Sequence, residues 1–203
     1  MNTDYEMAFL LGNGPSLARV DNIILQSIPT FGSNRIFKKI VPTVYACVNP
    51  TEAKKYPVEI EVMDCEHKYV TDKVKIPGCI PLHSTTSVDF SLNPTWAINE
   101  GYSVSYCLMQ IAFFMGVKEL FLLGMDHKYI QPNTPNAEIT WQGKDVNHFC
   151  DDYVQPGDKW NCADLRRSEI YFKKAKEVFE MDGRKIINLT EGSELDVFER
   201  RML

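Results

Sequence analysis

The stretch Gly101–Asp126, GYSVSYCLMQIAFFMGVKELFLLGMD, constrains the fold more than any other part of the chain. Val104, Leu108, Ile111 and Met115 recur at helical spacing, and Gly116 stands where a C-terminal cap belongs. ELFLLG then follows as a continuous buried strand. Helix followed directly by buried strand is half of a parallel α/β unit.

The rest of the chain repeats the theme. Met7–Leu11 reads as a first strand buried on both faces, with a helix from Ser16. Thr30–Gly32 reads as a second short strand, and TVYACV, closed by Asn49-Pro50, as a third. Between Tyr56 and Pro94 only the short β-like pieces KYV and CIPL stand out among turn signals. ADLRRSEIYFKKAKEVFEMDG has Tyr171, Phe172, Ala175, Val178 and Phe179 on one helical face, and RKIINL is a last strand. The expected fold is one Rossmann-like domain over residues 1–203, a doubly wound parallel sheet in three layers. His127–Asn161 is long, rich in turn formers, and carries Trp141, Phe149, Tyr153 and Trp160. So many aromatics argue against disorder, so residues 127–161 read as a lid inserted in the domain.

Composition narrows the function classes. The 203 residues carry a net charge of −5 without a basic block, so a nucleic-acid partner is not expected. No stretch reaches membrane-spanning length, and the opening MNTDYEMAFLLGNG lacks a basic n-region. The six cysteines are scattered without C-x-x-C pairs, which suits a reducing, cytoplasmic setting and gives no zinc pattern. A homo-oligomer is compatible with the sequence.

Candidate site residues cluster where strands end. Gly12, Asn13, Gly14, Pro15 and Ser16 end the first strand. Glycines there allow close backbone approach, and a following helix N-terminus offers N–H groups to an anion. The same residues also read as a tight strand-to-helix turn with an ordinary cap. The segment is neither a P-loop nor G-x-G-x-x-G, because Leu17 stands where the last glycine belongs. Asn34 and Asn49 close the next two strands; their amides can grip a ribose, base edge or phosphate without adding charge. Ser103 and Ser105 begin the central helix, and Gly124 and Asp126 end the strand after it. In the lid, His148 with Asp145, Asp151 and Asp152 reads either as a general base with an orienting acid or as a divalent-ion cluster. His67, His83 and His127 carry weaker signals.

LLGNGPSL, TFGSNRIF, GVKELFLLGMDHKY, HFCDDY and GRKIINLTEGSELDVF together resemble the bacterial branch of the MptE-like domain family. That family is named for an archaeal 6-hydroxymethyl-dihydropterin diphosphokinase, and its bacterial members are often associated with surface-glycan or flagellin-glycosylation systems. A more distant resemblance is to bacterial CMP-sialic-acid-dependent sialyltransferases, which share Gly-Asn-Gly-Pro-Ser-Leu, an Asn-containing second strand and an Asn-Pro third strand. That resemblance implies nucleotide contacts from Asn13, Asn34, Asn49, Ser103–Ser105 and Gly124–Asp126, with Tyr129 as a partner of the donor phosphate. The chain departs from it in having Ser103-Val104-Ser105 for Thr-Ser-Gly, and Arg166 and Arg167 where the catalytic histidine precedes the final helix.

The favoured expectation is a transferase using a CMP-nonulosonate donor and a glycan or small-molecule acceptor, needing no cofactor. His148 and Asp126 are its catalytic candidates, with Tyr129 and Tyr153 at the leaving phosphate. One alternative is a Mg-ATP-dependent diphosphokinase with Mg²⁺ on Asp126, Asp151 and Asp152. Another is a non-catalytic nucleotide- or glycan-binding module.

Overall fold

The computed structural model describes residues 5–132 and 134–203; the first four residues of the N-terminal stretch and Asn133 of the lid lie outside them. The protein is an α/β protein with a Rossmann-like, eight-stranded parallel sheet flanked by helices. In chain order the strands are β1 (Met7–Leu11), β2 (Thr30–Ser33), β3 (Val44–Cys47), β4 (His67–Thr71), β5 (Ile80–Leu82), β6 (Glu119–Leu123), the hairpin strands β7 (Glu138–Thr140) and β8 (Lys159–Asn161), β9 (Lys185–Asn188) and β10 (Glu199–Arg200). The helices are α1 (Asn22–Leu25), α2 (Pro50–Lys55), α3 (Pro57–Val62), α4 (Val104–Phe114) and α5 (Leu165–Met181). The sheet order is β10-β9-β6-β1-β2-β3-β4-β5, and every neighbouring pair is parallel. β7 and β8 form a separate antiparallel pair inside the lid segment.

Alternation along the strands creates two cores. Ala8 and Leu10 of β1 pack with Leu120 and Leu122 of β6 under α4 and α5. Phe9 and Leu11 point to the opposite face, with Tyr45 and Cys47 of β3. On the first face the cover is substantial. α4 is buried along nearly its whole length, from Ser105 to Ala112, because α5 and the segment before it wrap the side turned from the sheet. Gln110, fully buried, clasps that segment: Oε1 accepts the Ser91 and Asn99 N–H groups, and Nε2 donates to the Asn99 carbonyl. Glu100 and Tyr102 are thereby delivered to the edge where the strands end.

Among the described residues the α-helices on the opposite face are α1, α2 and α3, of 4, 6 and 6 residues, beside the short 3₁₀ turns carrying Leu17 and Ile36. Helices of one or two turns bury little apolar area and are marginal alone. The lid supplies the rest of that layer: Trp141, Phe149, Tyr153 and Val154 are all buried in the second core. The helix expected from Ser16 does not form. Pro15–Arg19 is a 3₁₀ turn, followed by the single turn of α1 capped by Asp21. KYV and CIPL became the interior strand β4 and the edge strand β5.

Candidate functional site

From β1 the chain steps outward to β5, then crosses back to β6 on the other side of β1. Ligands of open parallel sheets bind at such a reversal, beyond the carboxyl ends of the strands. A cavity of about 430 Å³ opens there, within the usual range for small-molecule pockets. Asn13, Asn34, Asn49 and Asp126 all line it, as the shared edge of parallel strands requires.

The Gly-Asn-Gly-Pro-Ser turn works differently from an open anion cradle. Gly12 N–H donates to the Leu123 carbonyl at 2.8 Å and Gly14 N–H to that of Gly124 at 2.9 Å. Ser16 donates from its N–H to Asp126 Oδ1 (3.1 Å) and from Oγ to Oδ2 (2.7 Å). The protein's own carboxylate occupies the anion place, and the turn zips the exits of β1 and β6 together. Both glycines are needed for that approach. A Cβ at Gly12 would fall on the Gly124 carbonyl oxygen, and one at Gly14 on the Asp126 carboxylate. Gly124 itself has φ 69°, the left-handed region that suits glycine. Ser16 therefore lies outside the cavity lining, and Asp126 borders it as a clamped strut.

The amides are placed more suggestively. Asn49 Oδ1 accepts the Thr51 N–H at 2.9 Å, an ordinary cap for α2. Asn13 reaches Ser33 only through long contacts from Nδ2, 3.3 Å to Oγ and 3.4 Å to the carbonyl. Asn13 Oδ1 and Asn34 Oδ1 are buried and have no hydrogen-bond donor among the described residues. An unpaired buried acceptor costs about 1–3 kcal/mol. Asn34, Tyr102, His127 and Asn136 have φ of 53°, 61°, 56° and 64°, and all four line this cavity. They are the non-glycine residues with positive φ among the described residues. Such local strain concentrates at ligand sites.

On the α4 wall, Ser103 caps the helix by accepting the Ser105 N–H at 3.3 Å, and Ser105 Oγ contacts Met125 Sδ at 3.4 Å. On the lid wall, Asp145 Oδ2 holds His148 Nδ1 at 2.7 Å, and the imidazole lies flat on the Tyr153 ring, centroids 4.0 Å apart and planes within 5°. Nε2 of His148 has no partner among the described residues. Phe149 N–H donates to the Asn13 carbonyl at 3.1 Å, fastening the lid to the β1 exit. Tyr129 stands beside His148, ring centroids 6.4 Å apart. Burial, helped by the carboxylates of Asp126 and Asp145, pushes its phenol up, so it stays a neutral O–H donor.

Only Asp145 joins His148. Asp151 pairs with Lys144 at 2.8 Å and Asp152 with Lys38 at 2.5 Å, both on the surface. Among the described residues no three His, Cys, Asp or Glu side chains gather around one point. Asp126, Asp151 and Asp152, expected together in the diphosphokinase alternative, are thus held apart by separate partners.

Arg35 escaped the sequence reading. Its guanidinium is buried, with 3% of the side chain exposed, and binds Glu52 in two-point fashion: Nε to Oε2 at 2.8 Å and Nη2 to Oε1 at 2.7 Å. It lies 5.0 Å from the Tyr56 ring and 5.2 Å from that of Tyr153, and Asp158 of the lid approaches Nη1 at 3.5 Å. Burial works against its charge, but the hydrogen bonds and charge of Glu52 outweigh it and hold the pKa above the usual arginine value. No motif announces this role. The only trace is a Glu in the first turn of a helix following an Asn-Pro.

The Asp145 carboxyl yields a pH prediction. Burial alone would raise its pKa; the His148 hydrogen bond and charge, with the N–H groups of Asn147 and Val154, outweigh that and hold it below the usual range. A depressed carboxylate adds stability above its unfolded pKa of about 3.9, and that stability is lost as pH falls through the folded value. Trp141 and Trp160, in the lid beside His148, report this by fluorescence. The lid signal should hold from neutrality down to about pH 4 and change only below it; Asp145→Asn should remove that acid step. A transition centred near neutrality would assign it to another group.

The site belongs to a parallel α/β protein with its crevice at the strand-order reversal. Compared with protein-family models, curated proteins and solved structures, the chain shows no match. Among the described residues no helix is long and apolar enough to cross a membrane.

Proposed function

We propose that the protein is a nucleotide-dependent transferase, most simply a glycosyltransferase using a CMP-nonulosonate donor, with the nucleoside across the exits of β1–β3. The observation that carries this reading is the pair of buried amide oxygens on Asn13 and Asn34 that find no donor among the described residues. A nucleoside brings the missing donors as ribose hydroxyls or an exocyclic amine.

Charge favours a donor with a single phosphate over a triphosphate. The lining carries Glu52, Glu100, Asp126 and Asp164 against Arg35 and Lys128, and Arg35 is already bound to Glu52. A triphosphate would need further positive charge, and the acids proposed to hold Mg²⁺ are dispersed. In the proposed reaction the α4 N-terminus at Ser103–Ser105 and the Tyr129 hydroxyl stabilise the leaving phosphate. His148, oriented through Nδ1 by Asp145, offers Nε2 as base to an acceptor hydroxyl.

Thermal unfolding with CMP, CDP, UDP, GDP, AMP and ATP, each with and without Mg²⁺, tests the reading. A nucleotide at one hundred times its Kd adds about 2.7 kcal/mol of stability. Metal-independent stabilisation by CMP is the expected result. Stabilisation confined to Mg-ATP would move the protein to the diphosphokinase alternative, and CMP binding without turnover of any donor would leave a binding module. Asn13→Ala should weaken CMP in calorimetric titration by about 1–2 kcal/mol, the scale of a lost hydrogen bond. Unchanged affinity in a folded variant would return Asn13 to a turn residue.

A further inference from the structure

A second histidine–carboxylate pair borders the same cavity. His127 Nε2 lies 3.0 Å from Glu169 Oε1, and only 6% of the His127 side chain is exposed. Its Nδ1 has no partner among the described residues, and its backbone holds the strained left-handed φ of 56° at the β6 exit. The two pairs belong to opposite layers. Glu169 is on α5, and His127 packs 6.1 Å from Phe172 of the same helix, which points into the first core. His148 stacks on Tyr153, part of the core on the other face of the sheet. One imidazole therefore stands on each wall, and His127 shares its wall with the start of α4.

Building on the nucleotide-sugar reading, we propose that His127 is a second acid–base group, which gives a proton to the departing phosphate while His148 takes one from the acceptor. The bond between the sugar's anomeric carbon and the phosphate oxygen breaks, and its electron pair goes to that oxygen. The acceptor oxygen bonds to the same carbon. The acceptor's proton passes to His148 Nε2, and protonated His127, held through Nε2 by Glu169, gives a proton to the phosphate oxygen. Exchange with water resets both rings, so the net transfer is one proton from acceptor to nucleotide.

The test compares two donors of one sugar, CMP-N-acetylneuraminate and 4-nitrophenyl N-acetylneuraminide; nitrophenolate leaves without protonation. His127→Gln should lose roughly 10²–10⁴ in turnover of the CMP donor and little with the nitrophenyl donor, whereas His148→Gln should lose on both. Glu169→Gln, altering a half-exposed side chain, should give an intermediate loss on the CMP donor alone, and it decides the matter if His127→Gln fails to fold. Full turnover of the CMP donor by the His127 or Glu169 variant, or equal losses on both donors, would overturn the acid role while leaving the nucleotide reading intact. Wild-type protein that does not bind CMP, or binds it without turnover, would remove the glycosyltransferase reading and this inference with it.

Discussion

His148→Ala is expected to lower turnover of a CMP-nonulosonate donor by roughly 10²–10⁴ and to leave CMP affinity nearly unchanged. The imidazole has the two features a general base requires. Asp145 fixes it through Nδ1 at 2.7 Å, and the flat stack on Tyr153 fixes its plane. Asp145→Asn separates positioning from proton transfer: it keeps the shape but removes the carboxylate charge beside Nδ1, so it should slow turnover without raising KM. Alanine at 148 also removes a stacking partner, so turnover is to be compared with the fold intact by circular dichroism. Full activity in a folded His148→Ala variant would place the base elsewhere and leave the lid a covering layer.

The largest stability effect should come from Arg35. Arg35→Ala leaves Glu52, with 16% of its side chain exposed, without its cation, while Asp158 keeps Lys55 at 2.5 Å. Removing one partner of a buried ion pair costs about 3–5 kcal/mol, which lowers Tm by roughly 6–20 °C in a chain of this size. Denaturation of Arg35→Ala beside Arg35→Met/Glu52→Leu measures it. The double variant should recover most of the loss, because replacing both charges by apolar groups of similar volume removes the stranded carboxylate. Arg35 also ties the lid to the sheet through Tyr153, whose hydroxyl accepts the Arg35 N–H at 3.4 Å. Lid fluorescence should therefore change in the alanine variant before the sheet unfolds. A single variant as stable as wild type would show that solvent already reaches the pair.

Much of the sheet was legible because its signals are local. β1, β3, β6 and β9 are apolar on both faces of the pleat, and a chain can bury such a run only inside a covered sheet. The caps at Asn49, Ser103, Gly116 and Gly183 mark element boundaries through backbone chemistry that a few residues determine. The convergence of Asn13, Asn34, Asn49 and Asp126 on one cavity follows from parallel strands alone, since their exits share an edge.

What failed to show in the sequence depends on partners distant along the chain. Pro15–Arg19 forms a 3₁₀ turn because Asp126, 110 residues on, takes the Ser16 donors and holds the turn against β6. The aromatics of the lid indicated order, but their burial as part of the second core depends on how short α1, α2 and α3 are. Arg35 carries no local signal, since its role rests on Glu52, Tyr56, Tyr153 and Asp158 closing around it. His127 gained a carboxylate only when α5 packed against the β6 exit. By itself, then, the sequence determined the parallel α/β class, most strand positions and the edge where the strand exits converge, because periodicity and caps act within a few residues. Tertiary structure alone decided which donors are already taken, which acceptors are left orphaned and which histidines acquire carboxylates, because hydrogen bonds and charges act at a few ångströms in space, whatever their separation in sequence.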